Sequence, residues 1–234
     1  MALPKLNDVP KYEITIPSTD KKVYFRPFLV KEQKVLLIAL ESQDEKQILQ
    51  AVVDTIKACI YEDIEIDKLA IFDLEYIFLQ IRGKSVGESA DLIMKCRECD
   101  HENKVKVDLE DIKIKKGPDK KFVLNDQFTI EMKYPSYEII LREDMNTDSA
   151  VENIYNTVLL CMSCLYTEDD IIRFEEYTDE DKKEFMESLT SEQFDKIVTF
   201  VSNLPAITYD LEYDCESCEH SNKEILRGIQ DFLS

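Results

Sequence analysis

The chain has 234 residues, of which 44% are hydrophobic and 33% charged, a composition typical of a folded globular protein. Its 49 acidic side chains against 29 basic ones give a net charge of −20, which repels phosphate backbones and disfavours general binding to DNA or RNA. With only four glycines, no long apolar run and no apolar segment at the N-terminus, we expect no glycine-rich nucleotide site, membrane span or secretory signal.

The predicted elements of the first part of the chain are a hairpin and two helices. Residues 12–28 alternate apolar and polar side chains around a turn, which predicts a β-hairpin. Asp44 and Gln47 have the spacing of a capping box, and they precede a helix whose apolar face covers 48–60. The next helix is predicted over 71–83, and we expect it to end at the glycine that closes this range.

The second part of the chain has a similar order of elements. Two extended runs within 128–144 predict another hairpin, and apolar residues at helical spacing predict a helix over 150–165. A further helix is expected after Thr178, and Thr190 begins a last helix that Pro205 ends.

A short internal repeat supports this correspondence. Residues 91–104 and 210–223 are identical at seven of fourteen positions without a gap. We therefore predict a tandem duplication into halves 1–112 and 113–234, joined by the basic Gly-Pro segment 112–121. The expected fold class is α+β: each half has a hairpin, helices and a strand–CxxC–strand knuckle, and the halves form one compact unit that shares a metal site.

The seven cysteines predict thiolate chemistry in a reducing compartment. Cys96 with Cys99, and Cys215 with Cys218, each follow a strand-like run and precede turn-forming residues, as in half of a zinc ribbon. Zinc takes four ligands and each pair supplies two. We therefore expect one structural Zn²⁺ per chain bound by all four sulfurs, the alternatives being a disulfide, a redox pair or inert thiols.

Two features of these motifs leave alternatives open. His101 and His220 follow the pairs and are either further ligands or, as we favour, turn residues near the sulfurs. Asp100 and Glu219 stand where such turns usually have glycine, which leaves metal occupancy open.

The remaining chemical motifs do not predict catalysis. Cys161 and Cys164 fall within the helix predicted over 150–165, and their apolar neighbours favour core packing over redox chemistry. The Gly-Lys-Ser sequence at 83–85 lacks the glycine spacing of a phosphate-binding loop. With two histidines, both beside the cysteine pairs, no nucleophile–histidine arrangement is predicted. We expect a protein that is not an enzyme.

Together these features resemble the baseplate hub assembly proteins of T-even-type tailed bacteriophages. The resemblance rests on four segments in this order: FRPFLVKEQKVLL, FLQIRGKSVGES, CRECDHENKVKVDL and FVSNLPAITYDLEYDCESCEHSNKEILRGIQDFL. It implies a non-enzymatic morphogenesis protein that helps build the hub of the contractile-tail baseplate, in the host cytoplasm during assembly or retained in the virion. The matching residues are the two cysteine pairs, Ser85 and the ending Gly228–Phe232.

The resemblance also implies the partners: other baseplate hub or tail assembly proteins, with no nucleic acid, membrane or small-molecule substrate. Residues 142–190 have fourteen acidic and four basic side chains, which form either a solvated surface or one that attracts a basic partner. The segment RGKSVGES and the tail Phe232–Leu233 are further candidate contacts, unless the tail packs on its own core. Two other functions stay open, a zinc-ribbon adaptor for nucleic acid and a CxxC thiol oxidoreductase.

Overall fold

The computed structural model describes residues 9–137 and 149–232. The chain forms two units, which are described separately. The first runs to Lys115 and resumes at Ala206, and the second spans Lys116–Pro205. Both contain helices and small antiparallel sheets, so the architecture is mixed α and β.

The elements follow one another in this order. The first unit begins with β1 (Tyr12–Thr15), β2 (Lys22–Phe25), α1 (Val30–Ser42), α2 (Glu45–Cys59), α3 (Ile71–Val86), β3 (Ser89–Lys95), β4 (Glu102–Asp108) and β5 (Lys113–Ile114). The second unit has β6 (Lys121–Val123), β7 (Thr129–Met132), α4 (Ala150–Cys161), β8 (Met162–Tyr166), β9 (Ile171–Arg173), α5 (Asp179–Glu187) and α6 (Ser191–Ser202). The chain then returns to the first unit with β10 (Ile207–Asp214) and β11 (Ser221–Arg227).

The predicted hairpin and the capped helix α2 are confirmed. β1 and β2 pair antiparallel with Tyr12 opposite Phe25, and this register buries Ile14 and Val23. The Asp44 carboxylate accepts hydrogen bonds from two backbone N–H groups of the first turn of α2. This cap satisfies donors that the start of a helix leaves unpaired, so α2 begins where the sequence predicted.

The prediction that α3 ends at Gly83 is wrong. The helix continues to Val86, and Gly87 at φ 128° ends it. Gly83 keeps helical geometry, and a Cβ there would meet its nearest atoms at 4.0 Å. The second glycine ends the helix because its backbone adopts a conformation that other residues rarely reach.

Helix α1 was not predicted, because its apolar residues do not follow one face. Leu36 and Ala39 are buried, whereas Val30, Leu37 and Ile38 are among the large apolar side chains exposed to solvent. A helix with apolar residues on several sides gives no clear helical period.

The second unit is built on a four-stranded antiparallel sheet in the order β6-β7-β8-β9. The predicted hairpin within 128–144 is wrong over the described residues, since β7 has β6 on one side and β8 on the other. A strand has two edges, so no edge of β7 is left for the run that follows it. Residues 138–144 of that run lie outside the described residues.

The helix predicted over 150–165 is also too long. α4 ends at Cys161, and the next residues form β8, which pairs with strands on both sides. Cys161 is buried at the helix end, while Cys164 is half-buried in the strand. A short apolar run is compatible with a helix or with a central strand. Residues 162–166 form a strand because they make hydrogen bonds to two neighbouring strands.

The last two helices begin where their caps were predicted. The Thr178 hydroxyl accepts from Asp181 N, and the Thr190 hydroxyl accepts from Gln193 N. These helices, α4 and the sheet enclose the core of the second unit, whose members include Ile130, Val158, Ile197 and Phe200.

The boundaries between the two units lie after Lys115 and before Ala206, whereas the predicted boundary between the halves lies between residues 112 and 113. Strands β10 and β11 come from the predicted second half, yet they belong to the first unit, where β10 pairs with β5. The first run of the hairpin predicted for the second half forms β7 in a four-stranded sheet, whereas the hairpin of the first half is a sheet of two strands. The tandem duplication stays a prediction.

Candidate metal centre

The two CxxC motifs lie at the ends of two matching β-ribbons in the first unit. β3 and β4 pair up to Lys95 opposite Glu102, and β10 and β11 pair up to Asp214 opposite Ser221. The turns between these pairs are the two knuckles, 96–101 and 215–220. Because each ribbon is antiparallel and ends directly at its knuckle, the strands fix the direction in which the cysteines point.

The two knuckles have the same backbone hydrogen bonds. Cys96 N donates to His101 O at 2.9 Å, and Cys215 N donates to His220 O at 2.9 Å. Within each turn a second bond returns to the first cysteine carbonyl, from Asp100 N at 3.0 Å and from the equivalent Glu219 N at 2.9 Å. Both turns are therefore closed by the same pair of backbone hydrogen bonds.

The acidic residue after each second cysteine has a left-handed backbone, with φ 56° at Asp100 and φ 60° at Glu219. This is the conformation for which such turns usually have glycine. The chain therefore keeps the geometry of the turn in spite of the side chain present.

The four sulfurs of the knuckles converge. The Sγ atoms of Cys96, Cys99, Cys215 and Cys218 all lie within 4.8 Å of one another. Across the knuckles the Cys96–Cys218 separation is 3.7 Å and the Cys99–Cys215 separation is 3.6 Å. Both are far longer than a disulfide bond of about 2.05 Å. A tetrahedron with Zn–S bonds of about 2.3 Å has edges of about 3.8 Å, so the spacing fits zinc.

The thiols in the cluster have unequal pKa values. Burial raises the pKa of Cys96, but the backbone N–H groups of Glu98 and Cys99 and the Asn222 amide outweigh burial and lower it to about 6. Backbone N–H groups likewise outweigh burial and lower the pKa of Cys215. These donors stabilise a thiolate at the first position of each pair.

The pKa of the second cysteine of each pair is raised instead of lowered. The His220 N–H lowers the pKa of Cys218, but hydrogen bonding to the neighbouring sulfurs, with burial, raises it to about 12. The pKa of Cys99 is also raised, against the effect of the His101 N–H. Four thiols this close cannot all ionise by themselves, and a divalent cation among them would offset the repulsion.

Two buried asparagines connect the knuckles to each other. Asn103 Oδ1 accepts from Glu216 N at 2.9 Å, and Asn222 Oδ1 accepts from Arg97 N at 3.1 Å. Each asparagine thus belongs to one ribbon and binds the backbone of the opposite knuckle. The Asn222 amide also lies 3.6 Å from the sulfur of Cys96.

The asparagine amides complete the same arrangement within each knuckle. Asn103 Nδ2 donates to His101 O at 2.9 Å, and Asn222 Nδ2 donates to His220 O at 3.0 Å. Both histidines therefore contribute backbone carbonyls, and the cysteine cluster found among the described residues includes neither imidazole. Sequence reasoning missed the asparagines, although both belong to the identical positions of the internal repeat.

The other residues singled out in the sequence have structural contacts. Ser85 lies inside α3, where its hydroxyl accepts from Phe28 N at 2.9 Å and donates to Ile81 O at 2.5 Å. Phe232 is 1% exposed and packs on the core of its own unit, with its ring 6.5 Å from that of Tyr209. Leu233 lies outside the described residues.

No helix in the described part of the chain is long and apolar enough to cross a membrane. Searches of curated proteins and of solved structures gave no match. A family model described as T4 bacteriophage base plate protein matches residues 9–234. This match covers all of the described residues, both knuckles included. The chain belongs to the family of T4 bacteriophage base plate proteins.

Proposed function

We propose that this baseplate protein acts in building the central hub, as a non-enzymatic component that binds other hub or tail assembly proteins. The observation that carries the proposal is the convergence of four cysteines from two distant parts of a baseplate family chain. A closed set of four sulfurs leaves zinc no coordination position for a substrate, which favours a structural metal. In this proposal Cys96, Cys99, Cys215 and Cys218 hold one zinc.

The proposed metal would join the two knuckles, which the asparagines already connect. The protein would act in the host cytoplasm during assembly and, as a baseplate component, in the virion. The duplication into halves 1–112 and 113–234 belongs to the same proposal, because it accounts for two knuckles with matching hydrogen bonds.

Elemental analysis of the purified protein tests the metal. We expect one zinc per chain. A chain without metal would contradict the structural zinc, and two zinc ions per chain would favour separate sites that include the histidine imidazoles.

Co-purification from infected cells tests the role in the hub. The tagged chain should retain identified baseplate hub or tail proteins, and mass spectrometry would name them. Failure to retain any baseplate protein would contradict the proposal. Retarded migration of nucleic acid at low salt would favour the adaptor alternative, and turnover of a disulfide substrate would favour the oxidoreductase.

A further inference from the structure

An apolar groove of about 180 Å³ lies among α1, α2 and α3 of the first unit. Its walls include Leu36 and Leu40 from α1, Ile48 from α2 and Phe78 from α3. Two further lining residues, Leu37 and Val86, are each 53% exposed. The groove therefore combines a buried apolar floor with apolar residues that reach solvent.

Helix α1 also exposes apolar residues that do not line the groove. Val30 is 79% exposed, Val35 49% and Ile38 57%, on the same helix as the half-exposed Leu37. Single exposed apolar residues are ordinary, but Leu37 and Val86 are exposed together on the lining of an apolar groove, which is typical of a surface that binds another protein. A partner would remove the apolar lining of the groove from water, which is favourable.

The groove also has a cation that is not in an ion pair with any of the described residues. Arg82 is the one charged residue that lines it, and its Nη1 is buried without a hydrogen-bond partner among the described residues. Arg26 of the same unit differs, since it donates to the Glu32 carboxylate at 2.9 Å and to the carbonyls of Pro27 and Ala58. A buried donor without an acceptor is destabilising and rare in native proteins.

The charge of Arg82 indicates which side chain of a partner would suit this part of the groove. Burial lowers the pKa of the Arg82 guanidinium, and no carboxylate of the described residues offsets this effect. A basic side chain entering the groove would be repelled, an apolar one alone would bury the guanidinium further, and a carboxylate would offset its charge.

We propose that the groove binds an amphipathic helix of another baseplate protein, with apolar side chains in the groove and one carboxylate on Arg82. This rests on the proposed function, because it names the chemistry of a partner for a protein that acts by binding. A helix is the fitting shape, since its side chains at i, i+3 and i+7 can enter a groove between helices. The net charge of −20 opposes an acidic partner at long range, so added salt should strengthen rather than weaken this contact.

Overlapping peptides from the other baseplate proteins of the same phage test the groove. Peptides of about 20 residues are long enough for five helical turns. We expect saturable binding, measured by fluorescence anisotropy, from peptides that combine apolar residues at helical spacing with Asp or Glu. Replacing that acid by its amide should weaken binding about tenfold.

Matched variants locate the contact on the protein. Leu37→Gln should reduce binding at least tenfold, whereas Ile38→Gln should leave it unchanged, because Ile38 is similarly exposed on α1 but does not line the groove. In Arg82→Met, the acidic peptide and its amide form should bind equally. If Arg82→Met does not fold, comparing the acidic peptide with its amide form on the parent protein still tests the contact with Arg82.

The result that would overturn the groove is distinct from the failure of the proposed function. If intact hub proteins co-purify with the chain but no peptide binds, the groove is not the site. Equal losses in Leu37→Gln and Ile38→Gln, or a preference for basic peptides, would likewise overturn it. If no baseplate protein is retained, both the function and the groove proposal fall.

Discussion

Val158 lies at 0% exposure in the core of the second unit, on the inner side of α4. Val158→Asp should reduce the free energy of unfolding by about 3–5 kcal/mol, because it buries a carboxylate without a partner. Chemical denaturation measures the effect. Val151→Asp is the matched control, since Val151 is 64% exposed on the same helix and should change stability by less than about 0.5 kcal/mol. Similar losses in both variants would contradict the orientation of α4.

Glu75 of α3 binds the C-terminal segment of the chain. Its carboxylate Oε1 accepts a hydrogen bond from Ile229 N at 3.0 Å. Burial raises the pKa of Glu75 to about 7, against the opposing effect of this hydrogen bond. The folded protein therefore retains a proton that the unfolded chain releases near pH 4.5. Its contribution to stability is complete below that pH and is lost as the pH rises through 7.

Glu75→Gln should therefore match the parent protein below pH 4.5 and become relatively more stable as the pH rises to 8. The amide keeps the acceptor for Ile229 N and has no proton to lose. Denaturation midpoints over this pH range measure the difference. A constant difference at every pH would contradict the raised pKa.

At the scale of elements, the knuckle turns have backbone strain at Asp100 and Glu219. Asp100→Gly and Glu219→Gly should each stabilise the protein by about 1 kcal/mol, because glycine adopts positive φ without a steric penalty. Glu98→Gly and Ser217→Gly are controls within the same turns, where φ is not positive and glycine should be neutral or destabilising. Denaturant midpoints measured at constant zinc concentration test this prediction. If the control variants stabilise the protein instead, the inferred backbone strain at Asp100 and Glu219 is wrong.

At the scale of the whole molecule, a shared zinc would connect distant parts of the chain. Cys99 and Cys215 are 116 residues apart, and closing so long a loop is entropically unfavourable. Cys96→Ser and Cys215→Ser should each lose the benefit of the same metal, and the double variant should be little worse than either.

Unfolding in saturating zinc measures this coupling. Cys59→Ser provides the control, since Cys59 is buried outside the cluster, and its effect should add to that of Cys96→Ser. If the effects of Cys96→Ser and Cys215→Ser add within about 0.5 kcal/mol, each knuckle holds its own metal and the shared site is wrong.

The sequence by itself determined the features that depend on neighbouring residues. Asp44, Thr178 and Thr190 cap helices because each side chain meets the N–H groups two or three residues later. The cysteine pairs were predicted as candidate ligands because their spacing and the following turn are local properties. Zinc takes four ligands and each pair supplies two, so the sequence also predicted that the two pairs lie together. The four sulfurs form a cluster in the structure.

Tertiary structure decided what depends on distant residues. Met162–Tyr166 forms a strand because β7 and β9 bond to both of its edges, which no local apolar pattern can encode. Asn103 and Asn222 became visible as links between the knuckles only once the two ribbons were placed side by side. Helix α1 exposes apolar residues on several sides, so its place in the fold is set by its contacts rather than its period. Periodicity and capping act within a few residues, whereas strand pairing joins segments outside that range, and the two knuckles approach each other from parts of the chain more than a hundred residues apart.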